Sequence, residues 1–310
     1  MIMMIYPCLR TSSLVFLLPL FFPPTICKHF LPVVMWHGMG DNYLGLSGIK
    51  SFIQSNVPSN ASIFVHSLRI GNTVLEDTEN GYLLNANKQV EFVCKELLSM
   101  PEMEDGYNAI GFSQGSQFLR AVAQRCPKPA MRSLITLGGQ HQGVYGIPHC
   151  PDGDKYCNYI RRLLNFGAYW DWMQEDFVQA EYWHDPLDED TYRKKSIFLA
   201  DINNALTINE LYRTNLKRLK NFVMVRFNND TMVNPVESEW FGFYTPGQAT
   251  EITPLIKSSL FDKNLDPLGL RWLSDNGRLK FLEVDGNHLQ FTKKWFLANV
   301  LKPYIYTDSD

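Results

Sequence analysis

The sequence predicts an α/β fold, a mainly parallel β-sheet covered by helices and carrying an inserted helical subdomain. Short apolar segments rich in β-branched residues alternate with segments of helical periodicity along the first half of the chain. This alternation stops at Gly138 and resumes near Asn221. The 310 residues are 45% hydrophobic and 20% charged, which provides for a sizeable core and excludes a mainly disordered chain. The length allows two domains, or one large domain with an insertion.

Strands and helices are predicted in strict alternation before Gly138. The predicted strands are PVVMW (32–36), SIFVHSL (62–68), YNAIGF (107–112) and SLITL (133–137). Apolar residues at helical spacing lie between them, at Ile49, Phe52 and Ile53, then at Val90, Val93 and Leu97, and a further helix is predicted over 117–126. Strand, helix, strand is the pattern of a parallel sheet.

The second half of the chain begins with an aromatic and charged segment that we interpret as the helical insertion, at about residues 140–220. Sheet-like segments then return at FVMVRF (222–227), WFGFY (240–244) and LKFLEV (279–284). The segment 291–301 is predicted to form the closing helix.

The N-terminus has the pattern of a secretory signal peptide. Arg10 precedes the apolar run LVFLLPLFF (14–22), which is too short to span a bilayer. We therefore predict that residues 1–27 are cleaved and that 28–310 form the mature domain; an anchoring helix is the alternative. No later segment is long and apolar enough to span, and a net charge of −3 indicates no attraction to nucleic acid or anionic lipid.

Removal of the signal leaves four cysteines, an even number that fits a disulfide framework in an oxidising compartment: Cys94, Cys126, Cys150 and Cys157. Three pairings are possible, so the count does not decide among them. The short polar loop PDGDKY favours closure of Cys150 on Cys157, which leaves Cys94 for Cys126. No CxxC motif or suitably spaced histidine pair is present, so no metal site is predicted.

The segment GFSQG (111–115) fits the G-x-S-x-G pattern of a nucleophile elbow. It lies where a predicted strand passes into a predicted helix, which is the context that this motif requires. The tight turn strains Ser113, and Gly111 and Gly115 remove side chains that would collide with the neighbouring strand and helix. Ser113 is therefore the predicted nucleophile.

A serine nucleophile needs a neutral imidazole to accept its proton and a carboxylate to orient that imidazole. His288 follows the last predicted strand and precedes the final helix, the expected position of the base. Asp230 follows FVMVRF and is the predicted acid; Asp201 lies upstream of that strand, and Asp285 is too close to His288 in sequence. Asn229 also begins an N-glycosylation sequon, as does Asn60.

Backbone N–H groups must stabilise the oxyanion of an acyl-transfer intermediate. We expect one donor to be the N–H of Gln114, directly after the nucleophile. The other is expected from the loop HGMGD (37–41), whose glycines allow amides to converge, and we assign it to Met39.

Taken together, long segments of the chain resemble the palmitoyl-protein thioesterase family, lysosomal enzymes that remove long fatty acyl groups from protein cysteines. The segments that carry the resemblance are WHGMGD (36–41), GYNAIGFSQGSQFLRAVAQRC (106–126), GGQHQGVYG (138–146), QAEYWHDP (179–186), SIFLADIN (196–203), SEWFGFY (238–244) and GNHLQ (286–290). The family's triad falls on Ser113, Asp230 and His288, and the resemblance agrees with the disulfide pairing favoured above.

The resemblance also implies an α/β-hydrolase core, no metal or organic cofactor, lysosomal delivery through the secretory pathway, and S-acylated proteins, peptides or fatty acyl thioesters as substrates. It implies that the insertion forms a groove for the acyl chain, and we expect apolar side chains such as Phe177, Trp183, Ile197 and Leu199 to line it. Tyr43 and Leu44 replace the family's adjacent cysteine pair, and Ser116 replaces a glycine after the elbow.

Two other functions are compatible with these residues. The same triad cleaves oxygen esters, so a lipase is an alternative enzyme. A catalytically inactive lipid-binding protein is less favoured, because all three triad residues are present. The oligomeric state is not indicated by the sequence.

Overall fold

A six-stranded parallel sheet lies at the centre of the protein, in a computed structural model that describes residues 28–145 and 167–307. The strand order across this sheet is β10-β7-β6-β5-β2-β4. In chain order the strands are β1 (Lys28–His29), β2 (Val33–Trp36), β3 (Ala61–Ser62), β4 (Val65–Ser67), β5 (Tyr107–Phe112), β6 (Met131–Leu137), β7 (Asn221–Phe227), β8 (Phe243–Tyr244), β9 (Ile252–Thr253) and β10 (Leu279–Val284). This arrangement confirms the predicted α/β class.

Helices cover both faces of the sheet. The described α-helices are α1 (Ser47–Ser55), α2 (Val74–Leu83), α3 (Ala86–Ser99), α4 (Gln114–Arg125), α5 (Asp171–Asp176), α6 (Val178–Glu181), α7 (Glu189–Lys195), α8 (Leu199–Ile202), α9 (Glu210–Leu216), α10 (Leu270–Asp275) and α11 (Lys293–Phe296). A π-helical segment, Leu297–Ile305, follows α11 directly. Helices α5 to α9 lie between β6 and β7, where the sequence predicts helical structure.

The core has two layers because successive strand residues point to opposite faces of the sheet. On β2, Val34 and Trp36 join the layer under α3 and α4, whereas Val33 and Met35 join the layer under α1 and the C-terminal helices. All six residues of β5 are buried. A strand buried on both faces appears in the sequence as a nearly continuous apolar run, here interrupted by Asn108, so YNAIGF predicts this strand correctly.

The prediction that the segment 240–244 belongs to the main sheet is wrong. Val236–Trp240 forms a 3₁₀-helix, and Phe243–Tyr244 pairs antiparallel with Ile252–Thr253 in a separate ribbon. Phe241 has a left-handed backbone (φ 61°), which a continuous strand does not accept. Trp240 instead donates its indole N–H to Met224 O at 3.0 Å. Trp240 and Phe241 thus pack against β7 without extending the sheet.

Two smaller predictions also differ. The predicted strand 62–68 is two short strands, β3 and β4, separated by Ile63 and Phe64. The closing helix starts at the Thr292 cap and continues to Ile305, past the predicted end. Within the described residues we find no helix long and apolar enough to cross a membrane.

A disulfide joins Cys94 on α3 to Cys126 at the end of α4. It fastens together the two helices that cover one face of the sheet, and it is the pairing that the sequence favours. The predicted signal segment and the predicted pair Cys150 and Cys157 lie outside the described residues.

Removal of this disulfide should destabilise the fold. The two cysteines are 32 positions apart in the sequence, and for a loop of this length the chain-entropy model predicts that Cys94→Ala/Cys126→Ala lowers the free energy of unfolding by about 4 kcal/mol. Urea denaturation of the double variant measures this loss. Lys95→Ala, at an exposed position of the same helix, is the control and should change stability by less than about 0.5 kcal/mol. An unchanged urea midpoint in the double variant would contradict the prediction.

Candidate active site

Ser113 lies in a strained turn between β5 and α4. Its backbone has φ 52° and ψ −122°, a region that non-glycine residues rarely occupy. The turn is held because Ser113 N–H donates to Leu137 O at 2.8 Å. A Cβ at Gly111 would lie 2.4 Å from Ser116 Cα, and one at Gly115 would lie 2.4 Å from Trp36 O. Both glycines are therefore required for this turn to form.

The Ser113 hydroxyl is nearly buried, with 8% of the residue exposed. Its Oγ accepts a hydrogen bond from Gln140 Nε2 at 3.0 Å. Gln140 belongs to the loop after β6, the strand next to β5. Among the described hydrogen bonds none joins Ser113 to His288, and such catalytic hydrogen bonds often tighten only when substrate binds. The hydroxyl proton is left free to be donated elsewhere.

Asp230 and His288 meet because β7 and β10 are neighbours that end at the same edge of the sheet. The loops that follow the two strands are fastened to each other. Asn229 N–H donates to Gly286 O at 3.1 Å, and Asn287 Oδ1 accepts from Thr231 N–H at 3.0 Å. This cross-linking brings His288 Nδ1 into a short hydrogen bond with Asp230 Oδ2.

The Asp230 carboxylate is completely shielded, with 0% of its side chain exposed. Its other oxygen, Oδ1, accepts from the N–H groups of Met232 at 2.6 Å and Val233 at 2.9 Å. Burial alone would raise its pKa, but hydrogen bonds, first of all with His288 and Glu239, hold the pKa below its usual range. The group is therefore ionised and able to orient the imidazole.

Both alternative acids are engaged elsewhere. Asp201 pairs with Arg125 Nη2 at 2.7 Å and accepts from the Tyr212 hydroxyl at 3.1 Å. Asp285 accepts from Asn228 Nδ2 at 2.8 Å. The geometry favours Asp230 as the partner of His288.

The two proposed oxyanion donors flank Ser113. Gln114 is the first residue of α4, so its N–H has no acceptor inside the helix. Met39 belongs to the loop after β2, and a Cβ on its neighbour Gly38 would lie 3.0 Å from Ser113 Cβ. The loop thus runs directly against the nucleophile, and the role of both N–H groups as donors remains a prediction.

A buried ion pair supports this loop. His37 Nε2 lies 3.2 Å from Asp77 Oδ1, with only 3% and 0% of the two side chains exposed. Asp77 also accepts from Ile70 N–H at 2.6 Å and from Tyr43 N–H at 2.8 Å. Burial would lower the pKa of His37, but the contact with Asp77 and its negative charge outweigh burial and raise it. One carboxylate therefore holds the beginning and the end of the loop.

The helical region between β6 and β7 contacts the site through Gln114. Gln114 Oε1 accepts from the Tyr182 hydroxyl at 3.2 Å and from Gln179 Nε2 at 3.3 Å. The Tyr182 hydroxyl also lies 4.0 Å from Met39 Sδ. These contacts join the region to both sides of the proposed oxyanion hole.

The four residues proposed to line an acyl groove lie in this same region. Leu199 and Trp183 are buried in the core, and Phe177 packs against it. Ile197 is half-buried, and its N–H donates to Gln174 Oε1 at 3.0 Å. A pocket of about 450 Å³ borders Asp230, but none of the four lines it. The groove therefore stays a prediction.

The two sequons are accessible. Asn60 and Asn229 are both exposed, while the neighbouring Asp230 carboxylate is not. An attached glycan at Asn229 and a buried function for Asp230 are thus sterically compatible.

Four residues near the site carry no role in the sequence-based prediction: His37, Asp77, Gln140 and Glu239. His37, Gln140 and Glu239 lie in segments that carry the family resemblance, and this was the only sign in the sequence that they belong near the site. Glu239, Asp230 and His288 have potential ligand atoms within 4.8 Å of one another. A cation there would compete with the hydrogen bond that joins His288 Nδ1 to Asp230, so the donor set fits a proton network better than a metal.

Residues 32–288 match the sequence model of the palmitoyl protein thioesterase family. The chain belongs to this family. Palmitoyl-protein thioesterase 1 of Caenorhabditis elegans is 47% identical over 278 residues, covering 89% of this chain and 92% of the relative.

More distant members extend the comparison. Palmitoyl-protein thioesterase 3 of Dictyostelium discoideum is 32% identical over 281 residues, covering 88% of this chain and 92% of its own length. The lysosomal thioesterase PPT2 homolog of Drosophila melanogaster is 26% identical over 287 residues, covering 89% and 92%. The chain is thus also similar to a protein named as a lysosomal thioesterase.

The pair of His37 and Asp77 predicts a pH-dependent stability. The raised pKa of His37 means that the stabilisation is complete below the unfolded value of about 6.5 and is lost as the pH rises through the folded value. We expect His37→Gln to lose about 1 to 2 kcal/mol more at pH 5 than at pH 8. Urea denaturation at both pH values measures this difference.

The control for this measurement is His29→Gln, at an exposed position in β1. The difference between the two pH values should be larger for His37→Gln than for this variant. An equal loss for His37→Gln at pH 5 and pH 8 would show that His37 is neutral in the folded protein.

Proposed function

We propose that this protein is a serine hydrolase that removes long-chain fatty acyl groups, such as palmitoyl, from cysteine thioesters of proteins or peptides. Ser113 is its nucleophile, His288 its general base and Asp230 the acid that orients the base. The observation that carries the proposal is the hydrogen-bonded pair of Asp230 and His288, at the same sheet edge as the strained Ser113, in a member of this family.

Acylation begins when Ser113 Oγ attacks the thioester carbonyl carbon and passes its proton to His288 Nε2. Asp230 accepts Nδ1–H, which fixes the tautomer that leaves the Nε2 lone pair free. The N–H groups of Gln114 and Met39 stabilise the oxyanion. Collapse of this intermediate breaks the carbon–sulfur bond, and the thiolate takes the proton from His288.

Deacylation repeats these roles with water. His288 removes a proton from the water that attacks the Ser113 ester, and a second oxyanion forms in the same hole. Its collapse releases the fatty acid, and Ser113 Oγ regains its proton from His288. No metal or organic cofactor is needed for either half-reaction.

The names of similar proteins support a cellular location for this activity. Those named as lysosomal thioesterases support delivery to the lysosome through the secretory pathway, with residues 1–27 as the cleaved signal. The exposed Asn60 and Asn229 are the proposed glycan attachment sites. An apolar groove for the acyl chain, built by the region of about residues 140–220, completes the proposal.

The first test is covalent trapping of the acyl group. Wild-type enzyme mixed with a palmitoyl thioester should carry an acyl group on Ser113 in mass spectra of rapidly quenched samples, and Ser113→Ala should not. The kcat/KM for acylation should increase from four- to eight-, twelve- and sixteen-carbon thioesters, by up to roughly fourfold for each fully buried methylene.

Two outcomes would count against the proposal. An acyl adduct on Ser113→Ala would overturn the nucleophile assignment. A flat or falling chain-length series, or a clear preference for matched oxygen esters, would favour a short-chain esterase or a lipase.

The acid assignment is tested by isosteric substitution. Asp230→Asn should keep the shape of the site but favour the wrong tautomer of His288, lowering kcat by up to about 10⁴-fold by analogy with serine proteases. Asp201→Asn is the matched control, since its carboxylate pairs with Arg125, and it should leave kcat within about threefold. A large loss in the control with little loss in Asp230→Asn would reverse the assignment.

A further inference from the structure

Glu239 is a buried carboxyl group beside the proposed catalytic acid. It lies in the 3₁₀-helix Val236–Trp240, which follows the loop that contains Asp230, and 0% of it is exposed. Potential ligand atoms of Glu239, Asp230 and His288 all lie within 4.8 Å of one another. Glu239 takes no part in the proposed acylation and deacylation steps.

The hydrogen bonds of Glu239 use only half of its carboxyl group. Oε2 accepts from the N–H of Phe227, the last residue of β7, at 2.9 Å. Oε1 is buried, and no donor within hydrogen-bonding distance reaches it. An ionised carboxylate left in this way would be costly, because a buried acceptor without a donor loses its hydration. A proton on Oε1 removes this difficulty, since it turns the oxygen into a donor.

Of the charged groups around Glu239, Asp230 opposes its ionisation and Arg226 favours it, with Asp230 the stronger influence. Asp230 is ionised and adjacent, and His288 faces Asp230. Arg226 is the nearby cation, but its guanidinium stacks 3.9 Å from the centre of the Trp240 ring and pairs with Glu283 at 3.2 Å. Burial, followed by the hydrogen bond and charge of Asp230, raises the pKa of Glu239 to about 11.

We propose that Glu239 is protonated and donates a hydrogen bond from Oε1 to the Asp230 carboxylate, as a positioning residue for the catalytic acid. The two carboxyl groups then share one proton and one negative charge. Repulsion between two adjacent buried carboxylates leaves only one of them ionised. The charge stays on Asp230 because His288 and two backbone N–H groups donate to it. This inference rests on the proposed function only for its effect on activity.

The protonated carboxyl has a close chemical match in glutamine. In Glu239→Gln the amide oxygen can accept from Phe227 N–H, and the amide NH₂ can donate to Asp230. Glu239→Leu has a similar size but lacks both groups. The two variants therefore separate the loss of a proton donor from the loss of a negative charge.

The pH profile of kcat/KM is the first readout. The acidic limb reports protonation of the general base, because only the neutral imidazole of His288 can accept the Ser113 proton. The hydrogen bond from Glu239 withdraws negative charge from the Asp230 carboxylate. Without this donor Asp230 interacts more strongly with the protonated imidazole, and the acidic limb moves to higher pH. We expect a shift of roughly one pH unit in Glu239→Leu and an acidic limb at the wild-type position in Glu239→Gln. Glu237→Gln, with the same change on the same 3₁₀-helix, is the control.

Two results in these profiles would overturn the proposal. An equal shift in Glu239→Gln and Glu239→Leu would mean that an ionised carboxylate acts at this position. A lower melting temperature of Glu239→Leu with an unmoved acidic limb would mean that Glu239 only fastens the backbone of Phe227.

Infrared difference spectroscopy tests the protonation state without any activity. The wild-type spectrum minus that of Glu239→Gln, at pH 7, should contain the carbonyl stretch of a protonated carboxylic acid. Subtraction cancels other buried acids, such as Glu181, whose pKa is also raised by burial. Absence of the band would overturn the proposal even if Glu239→Leu fails to fold, and it would leave the proposed hydrolase function standing.

Discussion

Parallel strand pairing is the constraint on which the site depends. The strands of a parallel sheet all end at one edge, and the loops that leave that edge are brought together whatever their separation in sequence. Loops after five strands supply the proposed catalytic and supporting groups: Met39 after β2, Ser113 after β5, Gln140 after β6, Asp230 after β7 and His288 after β10. A slip in the pairing of β7 with β10 would separate Asp230 from His288.

The site also contains two carboxylates, those of Asp230 and Asp77, that are buried away from solvent. Asp230 and Asp77 both have side chains with 0% exposure, and each accepts two backbone N–H groups as well as contacting a histidine. Backbone donors of this kind make a buried carboxylate tolerable and fix its position. Each carboxylate fixes one part of the site: Asp230 fixes the imidazole of His288, and Asp77 fixes the loop that contains Met39.

The helical region after β6 is connected to the reaction centre by polar contacts and not only by apolar packing. Tyr182 and Gln179 bind the side chain of Gln114, whose N–H is a proposed oxyanion donor. The loop after β2 lacks the cysteine pair that the resemblance implies. Tyr43 stands in place of one cysteine and donates its N–H to Asp77. A hydrogen bond from the backbone does not depend on the side chain, so this position tolerates the replacement.

The sequence by itself determined the α/β class and the glycine-flanked turn at Ser113, and it predicted the order of nucleophile, acid and base. These features are local, because strand periodicity, the spacing of Gly111 and Gly115, and a loop directly after a strand are all visible in short segments. The prediction for the segment 240–244 was wrong because it too used only local residues. Its aromatic residues have strand propensity, but contacts with the completed sheet decide their structure.

Only the tertiary structure decided which buried polar groups contact the predicted site residues and the loop that contains Met39. Glu239 is nine residues from Asp230, and Asp77 is forty residues from His37. In both cases the fold brings the pair together inside the protein and raises a pKa: that of Glu239 through burial and the contact with Asp230, and that of His37 through the contact with Asp77. Such a contact leaves no periodic trace in the sequence. The proton donors and acceptors of the site are therefore set by the packing of distant loops, which local sequence patterns do not encode.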